Sequence, residues 1–180
     1  MIAGTRPGSP FIEEEARGVL GSYEPAASRL LVDPSPDEAL AAMRDARIIH
    51  VSAHGSFRGD NPLFSTLHLG PGALFLADIL GSPLAAELAV VSACNSGQTF
   101  SGRGDALLGV AHAFLAAGAR RLVASLWRVH DQATADWMQV FHRAWGQTQD
   151  AAVAQRRSAQ AVRETWEHPF YWGSFCVLGA

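Results

Sequence analysis

The sequence predicts an α/β protein built on a central, mostly parallel sheet flanked by helices. Three observations lead there. Short apolar runs ending in small residues, "RIIHVSAHG", "ELAVVSAC" and "RRLVASLW", read as buried strands. Segments of helical periodicity separate them, and strands alternating with helices favour a parallel sheet. A length of 180 residues with 48% hydrophobic content is enough for one sizeable core in a single domain.

The elements follow in order. "FIEEEARGVLGSY" places Ile12, Ala16, Val19 and Leu20 on one helical face. The acidic residues ahead of that face suit a helix N-terminus. "SPDEALAAMRDA" opens with Ser35, Pro36 and Glu38, which supply cap, first-turn proline and capping-box partner. Strands are expected at 47–53 and 87–93. Between them, "FSTLHLGPGALFLADIL" alternates around Gly70-Pro71-Gly72, the signal of an inserted hairpin. "GDALLGVAHAFLAAGA" reads as a helix stopped by Gly118. A third buried strand is expected at 120–126. "DQATADWMQVFHRAW" reads as an Asp131-capped helix with Ala135, Met138 and Trp145 on one side. An Ala-lined helix, "DAAVAQRRSAQAVRETW", and a last strand, "FYWGSFCVLG", complete the pattern.

Composition narrows the function classes. The net charge is −3, so no polyanion-binding surface or nucleic-acid partner is indicated. All 14 basic residues are Arg, an Arg- and Ala-rich bias from which no chemistry follows. No apolar run reaches the roughly 18 to 20 residues of a membrane helix. "MIAGTRPGSPF" lacks a charged segment followed by an apolar one, so no secretory leader is expected. Cys94 and Cys176 form no C-x-x-C pair. Free thiols in such a chain predict a reducing, cytoplasmic setting.

"VVSACNSGQ" carries the chemistry. A thiol stands where an apolar strand meets a polar loop, and "IIHVSAHG" sets His54 at a similar strand end. On neighbouring parallel strands, His54 and Cys94 emerge at one carboxyl edge, where open α/β sheets bind ligands. Imidazole beside thiol is the minimum for nucleophilic catalysis at sulfur. Backbone N–H groups of Gly55 and Cys94 could form an oxyanion hole. The plainer alternative stays open at this level: a free cysteine at a strand end is usually core. A zinc site would need four ligands, and the thiols are not paired for one. Cys176, between Phe175 and Val177, reads as core.

Several blocks, taken in order, resemble the CHAT domain. This is the caspase-like cysteine peptidase fold often found behind tetratricopeptide repeats, in the clan of caspases, gingipains and separase. "ARIIHVSAHG" is similar to the histidine block, and "DNPLFSTLHL" follows it as in bacterial members. "LAVVSACNSG" is similar to the cysteine block. "GDALLGVAHAFLAAGARRLVASLWRVHDQATADWM" and "HPFYWGSFCVLGA" resemble the longest block and the closing strand. The likeness runs from about residue 10 to the end. It implies a caspase-haemoglobinase-like sandwich, His54 as general base, Cys94 as nucleophile, no cofactor, and a pocket for the residue before the scissile bond. It also implies a protein substrate and control by an activator or repeat region. Family domains begin with a further strand, of which only "MIAG" remains here. The expectation is a domain lacking that strand, or one cut from a longer chain.

Candidate pocket residues are Trp127, Asp131 and Asp105. An acidic wall from Asp131 or Asp105 would favour a basic substrate side chain. Each Asp is more simply a helix N-terminal carboxylate, and Trp127 is as readily a core residue. His112 is read as packed between Leu108 and Leu115 on its helix. His50, His68, His130, His142 and His168 have no spacing that singles them out. Arg58 and Asp60 read as a solvated pair. No acidic cluster calls for calcium. The function expected is that of a cysteine endopeptidase, bacterial-looking in composition. Two alternatives remain: a catalytically idle assembly module, or a redox or metal-binding thiol protein.

Overall fold

The computed structural model describes the backbone of residues 1–5, 10–70, 72–95 and 103–180, and their side chains except at 10, 94, 95 and 103–106. Its strands are β1 (Ile2–Gly4), β2 (Leu31–Val32), β3 (Ile48–Ser56), β4 (Thr66–Leu69), β5 (Gly72–Phe75), β6 (Leu88–Asn95), β7 (Arg121–Ser125) and β8 (Phe175–Gly179). All belong to one sheet with the main order β2-β1-β3-β6-β7-β8. The pairings β1–β2, β1–β3, β3–β6 and β6–β7 are parallel, and β8 runs antiparallel to β7. The predicted hairpin is β4–β5, attached antiparallel to the end of β3.

The helices are α1 (Pro10–Leu20), α2 (Pro36–Arg44), α3 (Leu76–Leu80), α4 (Arg103–Ala116), α5 (Asp131–Thr148), α6 (Ala151–Thr165) and α7 (Pro169–Trp172). They cover both faces of the sheet. Val51, Ala53, Val91 and Ala93 point into one core, with Met43, Ile79 and Phe114 from α2, α3 and α4. Leu88, Val90 and Val123 point into the other, with Val19 of α1 and Trp137, Phe141 and Trp145 of α5. Alternation along a strand makes this division: odd positions of β3 and β6 meet the first core, even positions the second. The α2 capping box forms as its sequence predicts, with Ser35 and Glu38 bonding reciprocally.

Several expectations are corrected. "MIAG" does form a strand: Ile2, Ala3 and Gly4 pair with Val51, Ser52 and Ala53. It abuts the end of β4, where a Cβ on Gly4 would lie 2.0 Å from the His68 carbonyl oxygen. Only glycine permits so close an approach. Strand β3 outruns its predicted end at residue 53, because β6 pairs with it through Gly55 and β4 through Ser56. "FYW" is not strand but the turn α7, opened by Pro169 and closed at Gly173. The cap of α5 is His130, whose Nδ1 accepts from the Ala133 N–H at 3.4 Å; Asp131 is the first helical residue. His112 is exposed rather than packed, since α4 buries Val110, Ala113 and Phe114 instead. Cys176 is only half-buried, and its thiol donates to the Ala124 carbonyl at 3.6 Å. Glu15, read as a helix N-terminal acid, is only 4% exposed.

Candidate active site

Register decides which residues meet. In the parallel β3–β6 ladder, His54 is the Cα partner of Cys94, and Gly55 of Asn95. In the antiparallel β3–β4 ladder, His54 is the partner of His68. One row across three strands therefore holds His68, His54 and Cys94, near the carboxyl ends of β3 and β6. Register partners share a sheet face. The Cys94 side chain lies outside the described residues, so the row is a statement about backbone position. His68 is a member that sequence reasoning missed; its Nε2 lies 2.7 Å from the Ser56 hydroxyl. Alternation in "STLHL" against "AHGS" was the available signal, but the pairing of two distant segments was needed to read it.

The end of β7 and the loop that follows it approach this edge. The Ser125 hydroxyl donates to the Ala93 carbonyl at 3.2 Å, beside Cys94 in sequence. Asp131 and Val129 line a small cavity with His54, Ser52, Ser92 and Glu15. Trp127 goes elsewhere: its ring stacks on Phe170 at 6.4 Å between centroids, and its Nε1–H donates to the Phe170 carbonyl at 3.1 Å. Asp105 falls in the first turn of α4, with its side chain outside the described residues. Gly55 lies inside β3, where a Cβ would meet the Phe57 ring at 2.5 Å.

Beneath the row runs a buried polar chain. Glu15 Oε1 is 3.0 Å from His50 Nε2, and His50 Nδ1 is 3.1 Å from His142 Nε2. His142 Nδ1 is 2.6 Å from the Tyr23 hydroxyl. The Ser92 hydroxyl donates to Glu15 Oε2 at 3.1 Å, and the Ser52 hydroxyl also bonds this carboxyl. His50 and His142 are both fully buried. Desolvation pushes Glu15 up to about 8, with the nearby Asp131 charge adding to the rise. Burial likewise holds His50 down to about 3 and His142 well below its ordinary value. Both directions favour a neutral hydrogen bond over an ion pair in the Glu15–His50 contact. Sequence reading missed Glu15 although it stands at i+3 from Ile12 and i−4 from Val19, on the apolar stripe.

Among the described residues, no group of three or more His, Cys, Asp or Glu is arranged to hold a metal ion. Among them also, no helix is long and apolar enough to cross a membrane.

Comparison with known proteins agrees with this architecture. Tetratricopeptide repeat protein 28 of Mus musculus is 30% identical over 111 residues, which cover 59% of this chain and 4% of that protein. The chain therefore spans a small part of the length of that relative. The CHAT domain family model matches residues 3–180. With the match running along nearly the whole sheet and its helices, the chain belongs to the CHAT domain family, a caspase-like group.

Proposed function

We propose that the chain is a cysteine endopeptidase in which Cys94 is the nucleophile and His54 the general base. The observation that carries this reading is the β3–β6 register, which makes His54 and Cys94 direct partners on adjacent parallel strands. In the reaction, the Cys94 thiol passes its proton to His54 and the thiolate attacks a peptide carbonyl. The oxyanion that forms is held by backbone N–H groups, for which those of Gly55 and Cys94 are the candidates. Protonated His54 gives its proton to the leaving amine, and the C–N bond breaks. Water then attacks the thioester, His54 takes its proton, and the acid product leaves with the thiol restored.

The substrate of this reading is a protein, and the compartment the cytoplasm. Asp131, on the cavity that also includes His54, is the candidate for recognising a basic side chain before the scissile bond. The likeness to a tetratricopeptide repeat protein supports control by a repeat region or activator protein. The test is labelling with a thiol-reactive peptidyl probe, followed by mass mapping. Modification is expected at Cys94, absent in Cys94→Ala and strongly slowed in His54→Ala. Labelling that falls on Cys176 instead would defeat the reading.

A further inference from the structure

The buried chain Tyr23–His142–His50–Glu15 belongs to no step of the acyl-transfer reaction, yet it runs from the amino edge of the sheet to the middle of β3 and β6. Its outer end, Tyr23, lines a groove at the amino edge together with Met1, Arg29 and Arg47. Its inner end, Glu15, bonds Ser52 and Ser92, each two residues before a member of the proposed dyad on the same sheet face. Two residues of strand are about 7 Å. The small cavity that Glu15 lines with His54 measures about 20 Å3, its walls mixing Phe11, Ile12 and Val129 with Ser52, Ser92 and Asp131, room for one bridging water.

We propose that Glu15 is a positioning residue for the His54–Cys94 pair, gaining and losing a proton along the chain to Tyr23 and so setting the charge beneath His54. The inference rests on the dyad reading for its catalytic meaning, though not for its geometry. The proton movement balances. With Glu15 ionised, Tyr23 O–H donates to His142 Nδ1, His142 Nε2–H to His50 Nδ1, and His50 Nε2–H to Glu15 Oε1. A proton arriving at the Tyr23 oxygen from the groove lets each donor hand its hydrogen inward. The chain then reads Glu15 O–H to His50 Nε2, His50 Nδ1–H to His142 Nε2, and His142 Nδ1–H to the Tyr23 oxygen. One proton enters and one carboxyl is neutralised; neither imidazole carries a charge before or after.

The groups facing Glu15 are His50, Ser52 and His54 from β3, Ser92 from β6, and Asp131 from α5. Burial already lifts Glu15 to about 8, within reach of ordinary solution pH. Ionisation there adds a negative charge near Cys94 and His54. That charge disfavours the thiolate and favours a protonated imidazole. Reactivity of the dyad should therefore level off or fall where a lone thiol would keep gaining.

The test follows the His54 ring by NMR through a pH titration, in a Cys94→Ala background that removes the titration of the thiol itself. A second step is expected in the His54 shift above its own midpoint. Adding Glu15→Gln should erase that step. Adding Ser92→Ala should move it to higher pH, because the serine hydroxyl bonds the carboxylate and its loss favours the acid. Should Glu15→Gln fail to fold, the Ser92→Ala shift decides. A His54 curve without a second step, or a step unchanged by Glu15→Gln or Ser92→Ala, overturns the proposal. Iodoacetamide alkylation of Cys94 in the otherwise unmutated protein reads the dyad separately. Glu15→Gln should raise its rate severalfold on the alkaline side of the step. Alkylation no faster than that of an ordinary free thiol, with the NMR step present, would sink the peptidase reading alone and leave the coupling standing.

Discussion

His54 and Cys94 are Cα partners in the parallel β3–β6 ladder, and the same ladder carries Ser52 opposite Ser92 and His50 opposite Val90. Strand pairing thus sets an imidazole position against a thiol position with no loop between them. A rigid element fixes this geometry better than a loop. Cys94→Ala should therefore abolish probe labelling and peptide cleavage while leaving the circular dichroism spectrum and melting midpoint near those of the parent. Full cleavage by Cys94→Ala would show that the nucleophile lies elsewhere.

Cys176 offers the matching control. It lies on the antiparallel edge strand β8 opposite Ala124 of β7, and its half-buried thiol makes one weak bond to the Ala124 carbonyl. Burial pushes that thiol up, which leaves it a poor nucleophile. Cys176→Ala should keep its activity per folded molecule and lose about 1 kcal/mol of stability in urea titration.

The buried chain makes stability depend on pH in a direction that can be worked out. Glu15 is raised from 4.5 to about 8 in the fold. Its contribution is complete below pH 4.5 and is lost as pH rises toward about 8. His50 falls from 6.5 to about 3, and His142 is also lowered. Their contributions are complete above pH 6.5 and are lost as pH falls below it. Below pH 6.5 two histidines outweigh one carboxyl; above it the loss from the carboxyl is opposed by the Met1 amine, which burial lowers from 8.0. Denaturant midpoints should fall below pH 6.5, and Glu15→Gln should raise the alkaline side of the curve relative to the parent's. A Glu15→Gln curve that follows the parent's slope above pH 7 would contradict the assignment.

The parts of this fold that were legible in the sequence are those with local causes. The Ser35-Pro36-Glu38 cap, the Gly70–Gly72 hairpin and the Gly118 stop each depend on a few neighbouring residues, and each is present. Gly118 has φ +118 and abuts the Leu84 carbonyl, so both its conformation and its space need glycine. What was not legible depends on pairing at a distance. His68 looks idle until β4 lies on β3. His50 and His142, 92 residues apart, look unrelated until α5 covers the sheet. Glu15 was readable only in part: its place on the apolar stripe was visible, but its partners came from β3 and β6.

Gly4 gives a prediction about how the site is framed. Its backbone approaches the His68 carbonyl so closely that any side chain must push β4 away from β1. Gly4→Ala should cost between about 1 and 3 kcal/mol, as overpacking does. Because His68 is the ladder partner of His54, the variant should also slow Cys94 labelling in the fraction that remains folded. Unchanged stability in thermal and urea melts would mean that β4 yields without strain.

The last prediction separates two candidate pocket residues that the sequence could not rank. Asp131 shares a cavity with His54 and acts electrostatically on Glu15. Trp127 instead packs on Phe170 and bonds its carbonyl. If Asp131 reads the substrate, Asp131→Asn should lower kcat/KM for peptides with Arg before the scissile bond by about tenfold or more, the worth of a hydrogen bond to a charged group. Peptides with a neutral residue there should be affected little. Trp127→Phe should change the two substrate classes by the same factor, since the indole braces α7 rather than the cavity. The same Asp131→Asn variant carries a readout that needs no substrate. Removing that negative charge should lower the pH at which Glu15 ionises, moving the His54 step downward. A loss of Arg preference without movement of the step would leave Asp131 in the pocket but uncouple it from Glu15. Movement of the step with Arg preference intact would do the reverse, making Asp131 an electrostatic neighbour of Glu15 and not a reader of substrate.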